Sequence, residues 1–183
     1  MEPSDEDLIR LCRRRDPAAF ERVVARWDPV VLGLAYRLTG DLQAAEDVRQ
    51  TAFLRTWTEA RSFAGRSRLS TWLYRVVVNL CRDRHRSRAA QAGALQRAGE
   101  RLNGHAHGLG AGEEFLEREL AGRVAGAIRG LPEAEREVVV LRHYQGLSFR
   151  EIAAILGAPE TTVKSRMGRG LERLRGALKD LEP

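Results

Sequence analysis

Residues 147–175 constrain the chain more tightly than any other stretch. Ser148 is a good N-cap, and Phe149, Ile152, Ala153 and Leu156 fall at i, i+3, i+4 and i+7, so the spacing predicts a short helix with one apolar stripe. Gly157 stops it, because glycine adopts the left-handed C′ conformation without a Cβ penalty, and Pro159 opens a second helix. In that helix Val163, Met167, Leu171 and Leu174 are expected to face inward. Lys164, Ser165, Arg166, Arg169, Arg173 and Arg175 are left mostly outside. The pattern is a helix-turn-helix with a cationic second helix, the geometry that enters a DNA major groove, where Lys and Arg reach guanine edges or phosphates and Ser reaches either. The plainer reading is a helical hairpin with a solvated basic face.

A chain of 183 residues with 43% hydrophobic content can build one medium domain or two small ones, and a formal charge of +6 suits a polyanionic partner. No run of roughly 18 apolar residues occurs, and the first residues, Met-Glu-Pro-Ser-Asp-Glu-Asp, are acidic. Neither a membrane span nor a signal peptide is expected, so a cytoplasmic location without direct membrane contact follows. Cys12 and Cys81 both sit in apolar-patterned helices and read as buried free thiols. Walker, dinucleotide-glycine, His-Glu-x-x-His and Gly-x-Ser-x-Gly motifs are missing, and the acids at 133, 135 and 137 read as solvated first-turn residues. His105 and His107 have no ligand at metal-site spacing. No enzyme activity, metal or cofactor is expected.

The remainder of the chain is helical in pattern with no competing strand period. Ser4 and Asp7 resemble a capping box before Leu8, Ile9, Leu11 and Cys12, and Asp16-Pro17 starts a long second helix with Pro29 as a kink. Asp41 caps a third, in which Leu42, Ala45, Val48, Ala52, Phe53 and Trp57 face inward. The period breaks over 61–71, a basic loop around Gly65. From about Ser70 a fourth helix carries Trp72, Leu73, Val76, Val77 and Leu80 on its apolar side and a basic tail, Arg82, Arg84, Arg86 and Arg88, on the other. A cationic loop with an aromatic beside a cationic helix suits single-stranded nucleic acid. Phe63 can equally pack inward. The resulting expectation is an all-α chain of two small domains, 1–88 and 113–183, joined by a flexible Ala/Gly/Arg-rich linker over 89–112, with the helix-turn-helix in the second.

Three stretches together resemble bacterial sigma factors of the small, two-domain extracytoplasmic-function group. Ala45-Glu46-Asp47-Val48-Arg49-Gln50-Thr51-Ala52-Phe53-Leu54-Arg55-Thr56-Trp57 is similar to that family's polymerase-docking helix, Thr71-Trp72-Leu73-Tyr74-Arg75 with Asn79 to its Thr-Trp-Leu-Tyr-Arg motif, and Gly146 through Arg166 to its C-terminal recognition motif. The resemblance implies a factor that joins core RNA polymerase through the clamp helices of the largest subunit and the flap of the second-largest, and directs initiation at promoters.

By position, Asp47, Gln50 and Leu54 would dock on polymerase. Phe63, Gly65, Arg66, Ser67, Arg68, Tyr74, Arg75, Asn79 and Arg82 would melt and hold the minus-10 element. Thr161, Thr162, Lys164, Ser165, Arg166, Arg169 and Arg173 would read the minus-35 duplex. Promoter DNA, duplex and single-stranded, and an anti-sigma factor are the further partners implied. Arg49 stands where the family has an apolar residue, Thr51 where it has Glu, Leu69 where Phe is common, and Gly168 where a larger side chain often faces DNA. The competing reading is an autonomous helix-turn-helix regulator, which would need a dimerisation helix; none is left over in the pattern.

Overall fold

Residues 2–63, 67–98 and 113–179 are described in a computed structural model, and the helix caps read from the sequence set its element boundaries. Ser4 caps α1 (Asp5–Arg13): its hydroxyl oxygen accepts from the Asp7 N–H at 3.1 Å and its O–H donates to the Asp7 carboxylate at 2.7 Å. That bond holds the Asp7 carboxyl below the usual carboxylate range. One Asp16 carboxylate oxygen accepts from the Ala18 and Ala19 N–H groups at the start of α2 (Pro17–Thr39), which continues on both sides of Pro29 and stops at Gly40, φ +71°. Asp41 caps α3 (Leu42–Glu59) through the Ala44 N–H, and a single 3₁₀ turn, Ala60–Ser62, ends it.

The long helix α4 (Leu69–Ala98) runs past residue 88, where the first domain was expected to end. Four helices follow: α5 (Glu113–Arg129), α6 (Glu133–His143), α7 (Phe149–Leu156) and α8 (Glu160–Ala177). All described regular structure is helical, as the sequence predicts. Residues 99–112, with His105 and His107, and 64–66, with Gly65 and Arg66, lie outside the described residues.

The core explains the order of the helices. Leu8, Ile9 and Cys12 of α1 close a small cluster with Val23, Ala60, Leu69 and Leu73. A larger cluster takes Val31, Leu34 and Leu38 of α2, Val48, Ala52 and Phe53 of α3, and Val76, Val77 and Val78 of α4. It then continues into Val138, Val140 and Leu141 of α6, Ile152, Ile155 and Leu156 of α7, and Val163 of α8. Helix α4 links the two clusters, packing against α2, α3 and α7. Its buried stripe is therefore wider than the 3.6-residue pattern suggests, taking in Val78 and Cys81 as well. Cys12 and Cys81 are buried free thiols; burial raises both, and burial with Glu137 nearby pushes Cys81 up to about 12.

Four residues depart from the expected burial. Glu135 and Glu137, read as solvated, are 6% and 3% exposed because α6 packs against α8 and α2, and Glu137 meets Arg82 of α4. Leu42 and Leu171, read as inward, are exposed. In α8 the inward position is Gly170 instead, where a Cβ would stand 2.9 Å from Val139 Cγ2, so the absence of a side chain sets how closely α6 and α8 approach.

Candidate nucleic-acid interface

The helix-turn-helix is built as its local chemistry requires. The Ser148 hydroxyl oxygen accepts from the Glu151 N–H at 3.2 Å while the Glu151 carboxylate accepts from the Ser148 N–H at 2.8 Å and from the Ser148 O–H at 2.7 Å, a complete capping box. The same bonds lower the Glu151 carboxyl. Gly157 turns the chain at φ +63°, and Pro159 precedes α8 with its fixed φ.

Along α8, Val163 and Gly170 face the core, while Thr161, Lys164, Ser165 and Gly168 share an exposed face; Thr162 and Arg166 are half-buried at its edges. Nothing stands within 4 Å of where a Gly168 Cβ would be, so this face is open. Lys164 pairs with Glu160 one turn back at 2.8 Å. Arg169 and Arg173, expected with the outward set, turn to the buried Glu135 at 3.4 and 2.9 Å, although both remain exposed along their length. They therefore anchor α8 to α6 as well as presenting positive charge.

The first half of the chain distributes its charge differently. Helix α4 was expected to carry a basic tail, yet each cation of that tail meets an acid: Arg82 binds Glu137 through two bonds of 2.6 Å, Arg84 meets Asp47 at 3.0 Å, Arg86 meets Asp83, and Arg88 lies 3.8 Å from Asp41. The Glu137 carboxylate holds the Arg82 guanidinium charged more firmly still. Tyr74, placed by the resemblance with the minus-10 set, is 7% exposed, its ring edge-on to Trp27 at 6.0 Å, and burial raises its phenol. It belongs to the core between α2 and α4. Arg75 donates to the Ala154 carbonyl of α7 at 2.6 Å, whereas Asn79 is exposed. Phe63 is half-buried, edge-on to Trp72 at 5.9 Å, with Ser67 half-buried and Arg68 exposed beside it.

On α3, Gln50 and Leu54 are exposed, the latter at 62%, over a shallow apolar groove of about 440 Å³ that Phe20, Phe53 and Trp57 help to wall. Asp47, three residues before Gln50 on the same helix, is exposed and meets Arg84. Arg49, unusual for a docking helix by the resemblance above, meets Asp28 of α2 at 2.7 Å, so its charge is compensated within the chain.

This arrangement has known counterparts. Residues 23–91 match the model of Sigma-70 region 2, and residues 121–174 that of Sigma-70, region 4. The ECF RNA polymerase sigma factor SigW of Bacillus subtilis is 33% identical over 99% of this chain and 100% of its own length. The chain belongs to the sigma-70 family, in its extracytoplasmic-function group. The sigma-E factor of Escherichia coli is 32% identical over 97% of this chain and 96% of its own length. Among solved structures, CnrH in complex with the cytosolic domain of CnrY superposes with a TM-score of 0.70 at 28% identity, covering 98% of this chain and 99% of that one. The sigma factor RpoE of Bartonella quintana, solved with the anti-sigma factor NepR, gives 0.69 at 25% identity over 87% and 96%.

The chain is thus an RNA polymerase sigma factor, a family of initiation factors and not of enzymes, and the autonomous-regulator reading falls away. No helix among the described residues is long and apolar enough to cross a membrane. Pairing of the α4 tail was beyond the sequence signal: the acids it meets lie chiefly on α3, its cap and α6, at separations no local pattern reports.

Proposed function

We propose that this sigma factor reads the minus-35 element as duplex with the open face of α8, and holds the minus-10 element as a separated strand near Phe63, Ser67 and Arg68, with Asn79 at its edge. The observation that carries the first half is the uncovered row Thr161, Lys164, Ser165 and Gly168, backed by a buried Val163 and Gly170. Hydroxyls and a lysine on a rigid helix give both phosphate and base-edge contacts. The second half rests on an aromatic ring and an exposed cation beside a helix whose tail cations are spoken for. Arg82 is tied to Glu137 in this arrangement, while Arg75 donates one guanidinium N–H to the Ala154 carbonyl and stays exposed for a strand contact.

Polymerase docking falls to Gln50 and Leu54 on the α3 groove and to Asp47 of the same helix, with the clamp helices of the largest subunit as the occupant and the flap of the second-largest subunit engaging the C-terminal unit. An anti-sigma factor is the expected inhibitor, by likeness to the Bartonella relative solved with one. Run-off transcription tests the whole: core polymerase plus this chain should initiate from a subset of a promoter library that core alone ignores. Failure to join core, or joining without initiation from any template, would sink the reading.

A further inference from the structure

A cleft of about 480 Å³ opens between α1 and the segment leading into α4. Its size falls within the range of sites that enclose a small ligand. Glu6, Ile9, Arg10 and Arg13 line it at i, i+3, i+4 and i+7, so a single edge of α1 supplies one whole wall. Phe63, Arg68 and Leu69 stand across from it. The floor is apolar, with Ile9 and Leu69 buried and Phe63 half-buried against Trp72. The rim is cationic: Arg10, Arg13 and Arg68 are all exposed, and Glu6 is the single acid among the described lining residues. Arg10 keeps a surface pair with Asp7 at 3.1 Å, a contact weak enough for a phosphate to displace.

An apolar floor takes a ring face, and guanidinium groups at the rim take phosphate oxygens. The cations of the α4 tail, by contrast, are committed to Glu137, Asp47, Asp83 and Asp41. We infer that Arg10 and Arg13 of α1 form the second wall of a nucleotide cleft, gripping the sugar-phosphate backbone on either side of a base unstacked from the promoter strand and laid toward Phe63. The inference rests on the minus-10 reading above and adds a helix to it. Helix α1 thereby becomes a strand-binding element and not only a lid on the small core of Leu8 and Cys12.

The test uses holoenzyme assembled from core polymerase and the full chain, on a promoter that the wild type transcribes. The probe is a fluorescein-labelled single strand bearing that promoter's minus-10 non-template sequence. Arg10→Ala with Arg13→Ala should weaken its binding on the order of tenfold and make the log-affinity against log-salt slope shallower by about 0.7 for each phosphate no longer held. Arg10→Lys with Arg13→Lys should restore most of the slope. Glu6→Gln should act in the opposite sense and tighten binding, a sign that a merely structural role for this wall would not produce.

Both arginine side chains are exposed, so the thermal midpoint should hold and binding to a minus-35 duplex should not move. Unchanged affinity and slope in the double alanine variant, with Arg68→Ala still weakening the strand, would overturn the α1 wall and leave the minus-10 reading standing. Equal weakening on strand and duplex would also overturn it. A wild-type holoenzyme that initiates nowhere would instead bring down the reading beneath it.

Discussion

Helices α4 and α8 are both arginine-rich, and the structure uses the two charges in opposite ways. On α4 the partners come mostly from other elements: Glu137 from α6, Asp47 and Asp41 from α3 and its cap. Those pairs tie the helix into the fold. On α8 the Lys164 partner, Glu160, belongs to the same helix one turn away, and such exposed i,i+4 pairs contribute only a few tenths of a kcal/mol, so Lys164 can exchange it for DNA at little loss. Arg169 and Arg173 lie between these cases, bound to a buried glutamate yet still exposed. Cation content therefore indicates a polyanion partner for the chain, while the origin of each countercharge decides which cations are available to it.

The largest expected effect tests the α4 side of this contrast. Glu137→Ala should cost about 3 kcal/mol, read as a lowered urea midpoint, because it strands the partly buried Arg82 guanidinium. An unshifted midpoint would mean that the pair does not hold α4 to α6. Next, Gly170→Ala should cost about 2 kcal/mol in the same measurement by forcing a methyl against Val139.

On the open face, Lys164→Ala should lower affinity for a minus-35 duplex by about 1.5 kcal/mol with no loss of stability; unaltered promoter selection would remove that face from the interface. Smallest, and of opposite sign, Gly168→Ala should stabilise by a little under about 1 kcal/mol, since it fills open space in a helix interior two residues from the intolerant Gly170. A destabilisation at Gly168 equal to that at Gly170 would erase the distinction between the two faces of α8.

Much of the local architecture was legible from residue order. Ser4, Asp16, Asp41 and Ser148 act as the caps their chemistry predicts, and Gly40 and Gly157 stop helices at positive φ. The helix-turn-helix, with Ile152, Leu156 and Val163 inside and Lys164 and Ser165 outside, follows from a turn residue and a 3.6-residue period. The site was legible only in part. Tyr74 was assigned to DNA by motif position and lies in the core, and Gly170, silent in any apolar count, turned out to be a packing surface.

Caps, turns and amphipathic stripes depend on atoms within about four residues of one another, so composition and spacing settle them before any packing occurs. The burial of Glu135 and Glu137, the commitment of Arg82 and Arg84, and the cleft between α1 and Leu69 depend on which helices meet. Those encounters join positions tens of residues apart. A carboxylate becomes buried and paired only when a second element arrives to exclude water and supply its cation, and the three-dimensional fold alone brings that element there.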